Sequence, residues 1–209
     1  ERGALAMALR DASGTTEWVS TGRQLRAATW YLVLGSYRSS GRKVSLRQVP
    51  VSSWPADETM AIVERTVSVG EVRVKDPILI AAYWSRDENG ERVATGHFNG
   101  KIDRPRLFSR ALTRREADGF NQGISASRLK AGLIADWDFS QSVGTDNVVD
   151  ASGHGLGGKT INSPKRAVTG HNWTGRDVDF RRAPDQYGAI YFHDDDLDDC
   201  RWSADFELT

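Results

Sequence analysis

Gly153-His154-Gly155-Leu156-Gly157-Gly158-Lys159-Thr160 fits the pattern of a phosphate-cradling loop, glycine, four residues, then Gly-Lys-Thr. That chemistry needs a buried strand to deliver the loop and a helix starting at the lysine, so that free N–H groups face the phosphates. Only Val148 and Val149 precede it as strand, and Asn162-Ser163-Pro164 breaks any helix almost at once. The letters therefore predict a glycine-rich turn between strands. A second constellation, His193-Asp194-Asp195-Asp196-Leu197-Asp198-Asp199, sets five carboxylates beside an imidazole. Hard cations favour such oxygen clusters, which makes His193, Asp194 and Asp196 candidate metal ligands. An exposed acidic turn or an interdomain contact is the competing reading. The run lacks the glycine and spaced glutamate of a helix-loop-helix calcium site.

His97, His154 and His171 are scattered without metal-ligand spacing, and no Glu-x-Asp-x-x-Glu array supplies the paired carboxylates of a glycosidase. Trp54, Trp84 and Trp173 lie in or near loops, where indole faces could stack on a sugar or simply pack. No residue is assigned a catalytic or cofactor-binding role on these grounds.

The 209 residues carry 28 basic and 28 acidic side chains, so the chain shows no basic surplus for a nucleic acid or a membrane surface. Lys101, Arg104, Arg106, Arg110, Arg114 and Arg115 are interleaved with Asp103, Glu116 and Asp118, as on a solvated face. A single cysteine, Cys200, excludes an internal disulfide, and a reducing compartment, the cytoplasm, is the simpler expectation. No run approaches the roughly 20 apolar residues that span a bilayer. Asn172-Trp173-Thr174 is a formal glycosylation triplet with no secretion signal to give it meaning.

Twenty glycines, seven tryptophans and short apolar runs favour many short strands joined by turns. Leu5, Met7 and Leu9 alternate with alanines from the start, and Trp202, Ala204, Phe206 and Leu208 alternate to the end, so the chain reads as a piece of something longer. Ala27 to Tyr37 is apolar on both strand faces, which predicts a central strand. Ser39-Ser40-Gly41 turns it into a hairpin partner bearing Val44 and Leu46. Val67, Val69 and Glu71 to Val74 predict the next strand, and Asn89-Gly90 a further hairpin. Thr113 and Glu116 form a capping box opening a helix from about 114 to 121. Leu133, Ala135, Trp137 and Phe139 resume alternation, and Ala189 to Phe192 predict a last short strand. The fold expected is an all-β, antiparallel jelly-roll β-sandwich with one short helix, plus the start of a following domain.

Gly100-Lys101-Ile102-Asp103 with Arg110-Ala111-Leu112 resembles the closing segment of a laminin-G-like, concanavalin-type jelly roll. Trp137-Asp138-Phe139 with Asp150-Ala151-Ser152-Gly153 resembles its opening segment. The order is reversed here, and too few residues follow Trp137 for a second sandwich. A permuted domain over 1–170 is expected, with 171–209 as connector and first strands of the next domain. The Trp137 strand should then lie in the same sandwich as the Ile102 strand. The tail, Ala167 to Gly175, Gln186 to Ile190 and His193 to Leu197, is similar to the large subunit of bacterial N,N-dimethylformamidases. That resemblance implies an accessory piece of an amide hydrolase acting on linear amides. It further implies contacts with other domains of the parent, a small subunit and neighbouring protomers. Iron held by tyrosines and glutamates of a later domain would do the chemistry, with no cofactor in this segment. A free-standing sugar-binding module is the alternative.

Overall fold

The computed structural model describes residues 3–51, 57–70, 72, 76–121, 129–162 and 164–166. They form short antiparallel strands and one helix, consistent with an all-β sandwich. The chain separates into two compact units. The first takes the described residues of Glu1–Gly100 together with Arg110–Asn121, and the second takes Lys101–Ser109 with the described residues from 129 onward. The boundary expected at 170 falls outside the described residues.

In the first unit, β1 (Ala4–Arg10) pairs antiparallel with β2 (Thr16–Gln24). β3 (Tyr31–Arg38), β4 (Lys43–Pro50) and β5 (Ala61–Thr66) form a second sheet in that order. The inward residues of both sheets, Leu9, Val19, Val44 and Leu46, join Val67 and Val69 in one buried cluster. Leu5, Met7 and Val63 pack against its margin. Gln48 sits at the end of this core with no exposed surface. Its amide nitrogen donates to the carbonyls of Arg23 at 2.9 Å and Thr59 at 2.7 Å. Its oxygen accepts from the Thr21 hydroxyl at 2.8 Å and the Leu5 N–H at 3.3 Å. One amide thus ties both sheets together, and its burial is tolerated because every polar atom has a partner.

The hairpin after Ser39 forms as its sequence predicts, with Gly41 at φ 87°. Two strand expectations need correction, and two strands carry no sequence signal. Ala27 to Tyr37 is not a central strand: β3 begins at Tyr31 and pairs only with β4 in its sheet. Its second apolar face arises because Leu34 lies opposite Arg47, whose guanidinium reaches Asp118 of helix α1 (Arg114–Asn121). The helix covers that face, so an edge strand is apolar on both sides. Val67 and Val69 are buried, at 3% and 1% exposure, but they follow β5 instead of forming a strand. The N–H groups of Ser68 and Gly70 go to the carboxylates of Glu17 and Asp11 in place of a neighbouring strand. β2 and β5 carry too few apolar residues to announce themselves, since only Val19 and Thr21 of β2 are fully inside.

β6 (Tyr83–Arg86) and β7 (Arg92–Thr95) form the Asn89-Gly90 hairpin, with Gly90 at φ 80° and Asp87 accepting from the N–H groups of Asn89 and Glu91. α1 opens on the expected capping box. Thr113 N–H donates to Glu116 at 2.7 Å and Glu116 N–H to the Thr113 hydroxyl at 3.3 Å.

The second unit is one four-stranded sheet. β8 (Arg106–Phe108) pairs with β9 (Leu133–Asp138), β9 with β10 (Asn147–Asp150), and β10 with β11 (Gly158–Lys159). Ile102 itself lies outside any strand, in the irregular stretch before β8, and β8 pairs directly with the Trp137 strand β9.

Replacing Gln48 by leucine keeps the volume and strands its four partners. The expected cost is about 3 kcal/mol of stability, read as a lower urea midpoint at unchanged slope. Glu116 gives a pH prediction. Arg110 and then the Thr113 N–H and hydroxyl lower its pKa from 4.5 to about 2. The stabilisation is complete above about pH 4.5 and is lost as pH falls toward 2, because the unfolded chain takes the proton first. Glu116→Gln should flatten that part of the stability profile, measured by urea unfolding across the window.

Candidate functional site

The loop that looked like a phosphate cradle leaves β10 at Asp150. Asp150 Oδ1 accepts from the N–H groups of Asp136 at 3.0 Å and Ser152 at 2.9 Å. Its Oδ2 accepts from the Ser152 hydroxyl at 2.8 Å and the Leu156 N–H at 2.9 Å. Gly153 and Gly155 supply the positive φ, 88° and 73°, that lets the chain fold back over this carboxylate. The loop is a nest of donors whose anion is its own aspartate. Burial pulls the Asp150 carboxyl up, but the four donors outweigh it and hold the group well below the usual carboxylate range. Lys159 then enters β11, opposite Asn147, where a phosphate loop would begin a helix. His154 is bound to the frame as well: its Nδ1–H donates to the Ile134 carbonyl at 2.9 Å.

One residue pair away lies the most buried charge of the unit. Asp136 on β9 is 3% exposed and faces Arg106 of β8 directly across the ladder. The Nε–H groups of Arg104 and Arg106 both donate to its Oδ1, at 3.0 and 3.1 Å. Burial lowers the pKa of Arg106 and the Asp136 charge opposes that, so the arginine stays protonated. Arg104 holds φ 44°, a left-handed conformation that turns the chain into Pro105, whose carbonyl accepts from Trp137 N–H at 3.1 Å. The Trp137 indole N–H in turn donates to the Leu156 carbonyl at 2.8 Å. Residues 104–106 thus meet β9 through charge and backbone contacts, and the indole ties β9 to the turn after β10.

Arg166 is a residue that pattern reading misses. Its guanidinium donates to the carbonyls of Phe139, Gln141, Ser142, Thr145 and Asn147, closing the β9–β10 connection. A lone arginine after a proline gives no signal of this. Asp138 is occupied by the Ser140 N–H at 3.0 Å and the Gln141 amide at 2.7 Å.

Of the tryptophans weighed as sugar platforms, Trp84 is described. The Arg92 guanidinium covers its ring at 4.6 Å, and its indole N–H donates to the Pro77 carbonyl at 2.8 Å. Trp54, Trp173, Asn172, Cys200 and the candidate ligands His193, Asp194 and Asp196 lie outside the described residues. Among the described residues no group of three or more His, Cys, Asp or Glu side chains is placed to hold a metal, and no helix is long and apolar enough to cross a membrane. Tyr31 shares its hydroxyl with Thr59 at 2.6 Å and the Arg26 N–H at 3.1 Å, while Glu58 is paired with Arg26. These groups are committed to one another and do not fit an iron held by tyrosine and glutamate. Asp136, Asp138 and Asp150, the carboxylates gathered here, hold strands and turns.

No protein-family model matches the chain. It is 38% identical over 229 aligned positions to the N,N-dimethylformamidase beta subunit of Paracoccus aminophilus. It is 35% identical over 225 positions to the protein of the same name from an Alcaligenes species. Each alignment takes in all of this chain and 29% of the relative, so the chain spans less than a third of the length of either.

Asp136→Asn removes the charge that two arginines share. Breaking a buried ion pair from one side is expected to cost about 3 kcal/mol, and the loss should fall short of that in the Asp136→Leu, Arg106→Met pair. Urea unfolding of the two variants beside the parent sequence checks both values.

Proposed function

We propose that this chain is an accessory β-sandwich segment of a dimethylformamidase-like amide hydrolase large subunit, of the laminin-G-like jelly-roll kind. The observation that carries this reading is full-length similarity to two dimethylformamidase beta subunits, each of which is more than three times as long. The chemistry of the described residues agrees with a supporting role: Asp136, Asp138 and Asp150 are consumed by arginines, N–H groups and hydroxyls that fix the fold. The substrate class proposed for the whole enzyme is the linear amide, cleaved to a carboxylate and an amine. When bound, iron would supply Lewis-acid activation of water for that hydrolysis, and its ligands would come from outside the described residues. Other domains of the same subunit, a smaller subunit and further protomers are the proposed partners, and the cytoplasm the proposed compartment.

The expected outcome is that the purified 209-residue chain releases no formate from N,N-dimethylformamide, while the longer protein that contains it does. Hydrolysis by the chain alone would overturn the accessory role. An inactive longer protein, loaded with iron, would overturn the amidase assignment.

A further inference from the structure

We propose that the outer face of the β1–β2 pair is a docking surface, and that its occupant is the remainder of a longer polypeptide containing this chain; this rests on the accessory role argued above. Along β1 the core takes Leu5, Met7 and Leu9, which leaves Ala6, Ala8 and Arg10 pointing outward. Their partners across the ladder are Ser20, Trp18 and Thr16. Trp18 is 65% exposed, and Ala6, Ala8, Arg10 and Thr16 are exposed with it.

A sheet face left in water is ordinarily polar and well charged. In this chain, where 27% of residues are charged, these six paired positions carry one charge, Arg10, at one end, and the exposed Arg23 lies past the register shift at the other. The outward edge of β5 is the internal contrast, with Glu64, Arg65 and Thr66 all exposed. Alanines beside a tryptophan make a flat floor with one rigid projecting ring. That is the composition of an interface centre, poor in charge and anchored by an aromatic residue with few rotatable bonds.

The occupant is identified by two facts. The face offers almost no charge, which removes an electrostatic partner such as nucleic acid or an anionic surface. Both relatives contain the whole of this segment and more than twice as much chain again beyond it. Neutral protein surface tethered in the same polypeptide reaches the face at high effective concentration, so a modest area is enough to hold it. The fit expected is a shallow apolar recess that accepts the Trp18 indole over Ala6 and Ala8.

The test is thiol labelling of Ala8→Cys, with Cys200→Ser to silence the native thiol, in the 209-residue chain and in the longer protein. Labelling at least about tenfold slower in the longer protein is the expected result. Equal rates in an intact, longer polypeptide would overturn the docking surface while leaving the accessory role standing. Protection in the 209-residue chain that grows with its concentration would overturn it in favour of self-association. Trp18→Arg supplies the second measurement: an unchanged melting temperature in the short chain, and faster proteolytic release of this segment from the longer protein.

Discussion

The described part of the second unit depends on two aspartates, the buried Asp136 on β9 and the half-buried Asp150 on β10. Asp136 faces one way, to Arg104 and to Arg106 of β8, and Asp150 faces the turn that leads to β11. They are linked by a hydrogen bond from the Asp136 N–H to the Asp150 carboxylate. A carboxylate in this position is costly to bury, and what makes it tolerable is full satisfaction by charge or N–H donors. Four strands drawn from positions 106 to 159 are held in one register by this pair of groups. The first unit uses a neutral device for the same end, the Gln48 amide, which spans two sheets without any charge to neutralise.

The two resemblance-bearing segments proved to be the physical parts of that arrangement. The Asp-x-Ser-Gly stretch is a turn that encloses its own anion, and the Ile-Asp-Arg-Pro-Arg stretch delivers the positive charges. The interleaved charges around Arg104 and Arg106 had read as a solvated face, and their partner, the buried Asp136, lies about thirty residues further on, where the sequence does not mark it. The capping box at Thr113 was legible because both partners lie within one helical turn.

Other features were closed to pattern reading. Arg166 gathers carbonyls whose positions depend on the path of a loop, and carbonyls carry no sequence identity. Gln48 looks like any polar residue on an alternating strand, and only the second sheet reveals that it points inward. β3 looked central since apolar character records contact with anything apolar, whether a sheet or a helix. β2 was hidden because only Val19 and Thr21 point fully inward, while Trp18 and its polar neighbours face outward. The glycine-rich letters at 153 to 160 could be read as a turn, but not that the turn closes on the carboxylate of Asp150.

Lys101–Ser109 has a consequence for inheritance. This stretch belongs with residues beyond 129, although the chain on both sides of it belongs with the other unit. No single break in the gene can separate the two units intact, because any cut leaves one of them without a strand or a helix that it shares a core with. Recombination can therefore move these units only as an indivisible pair.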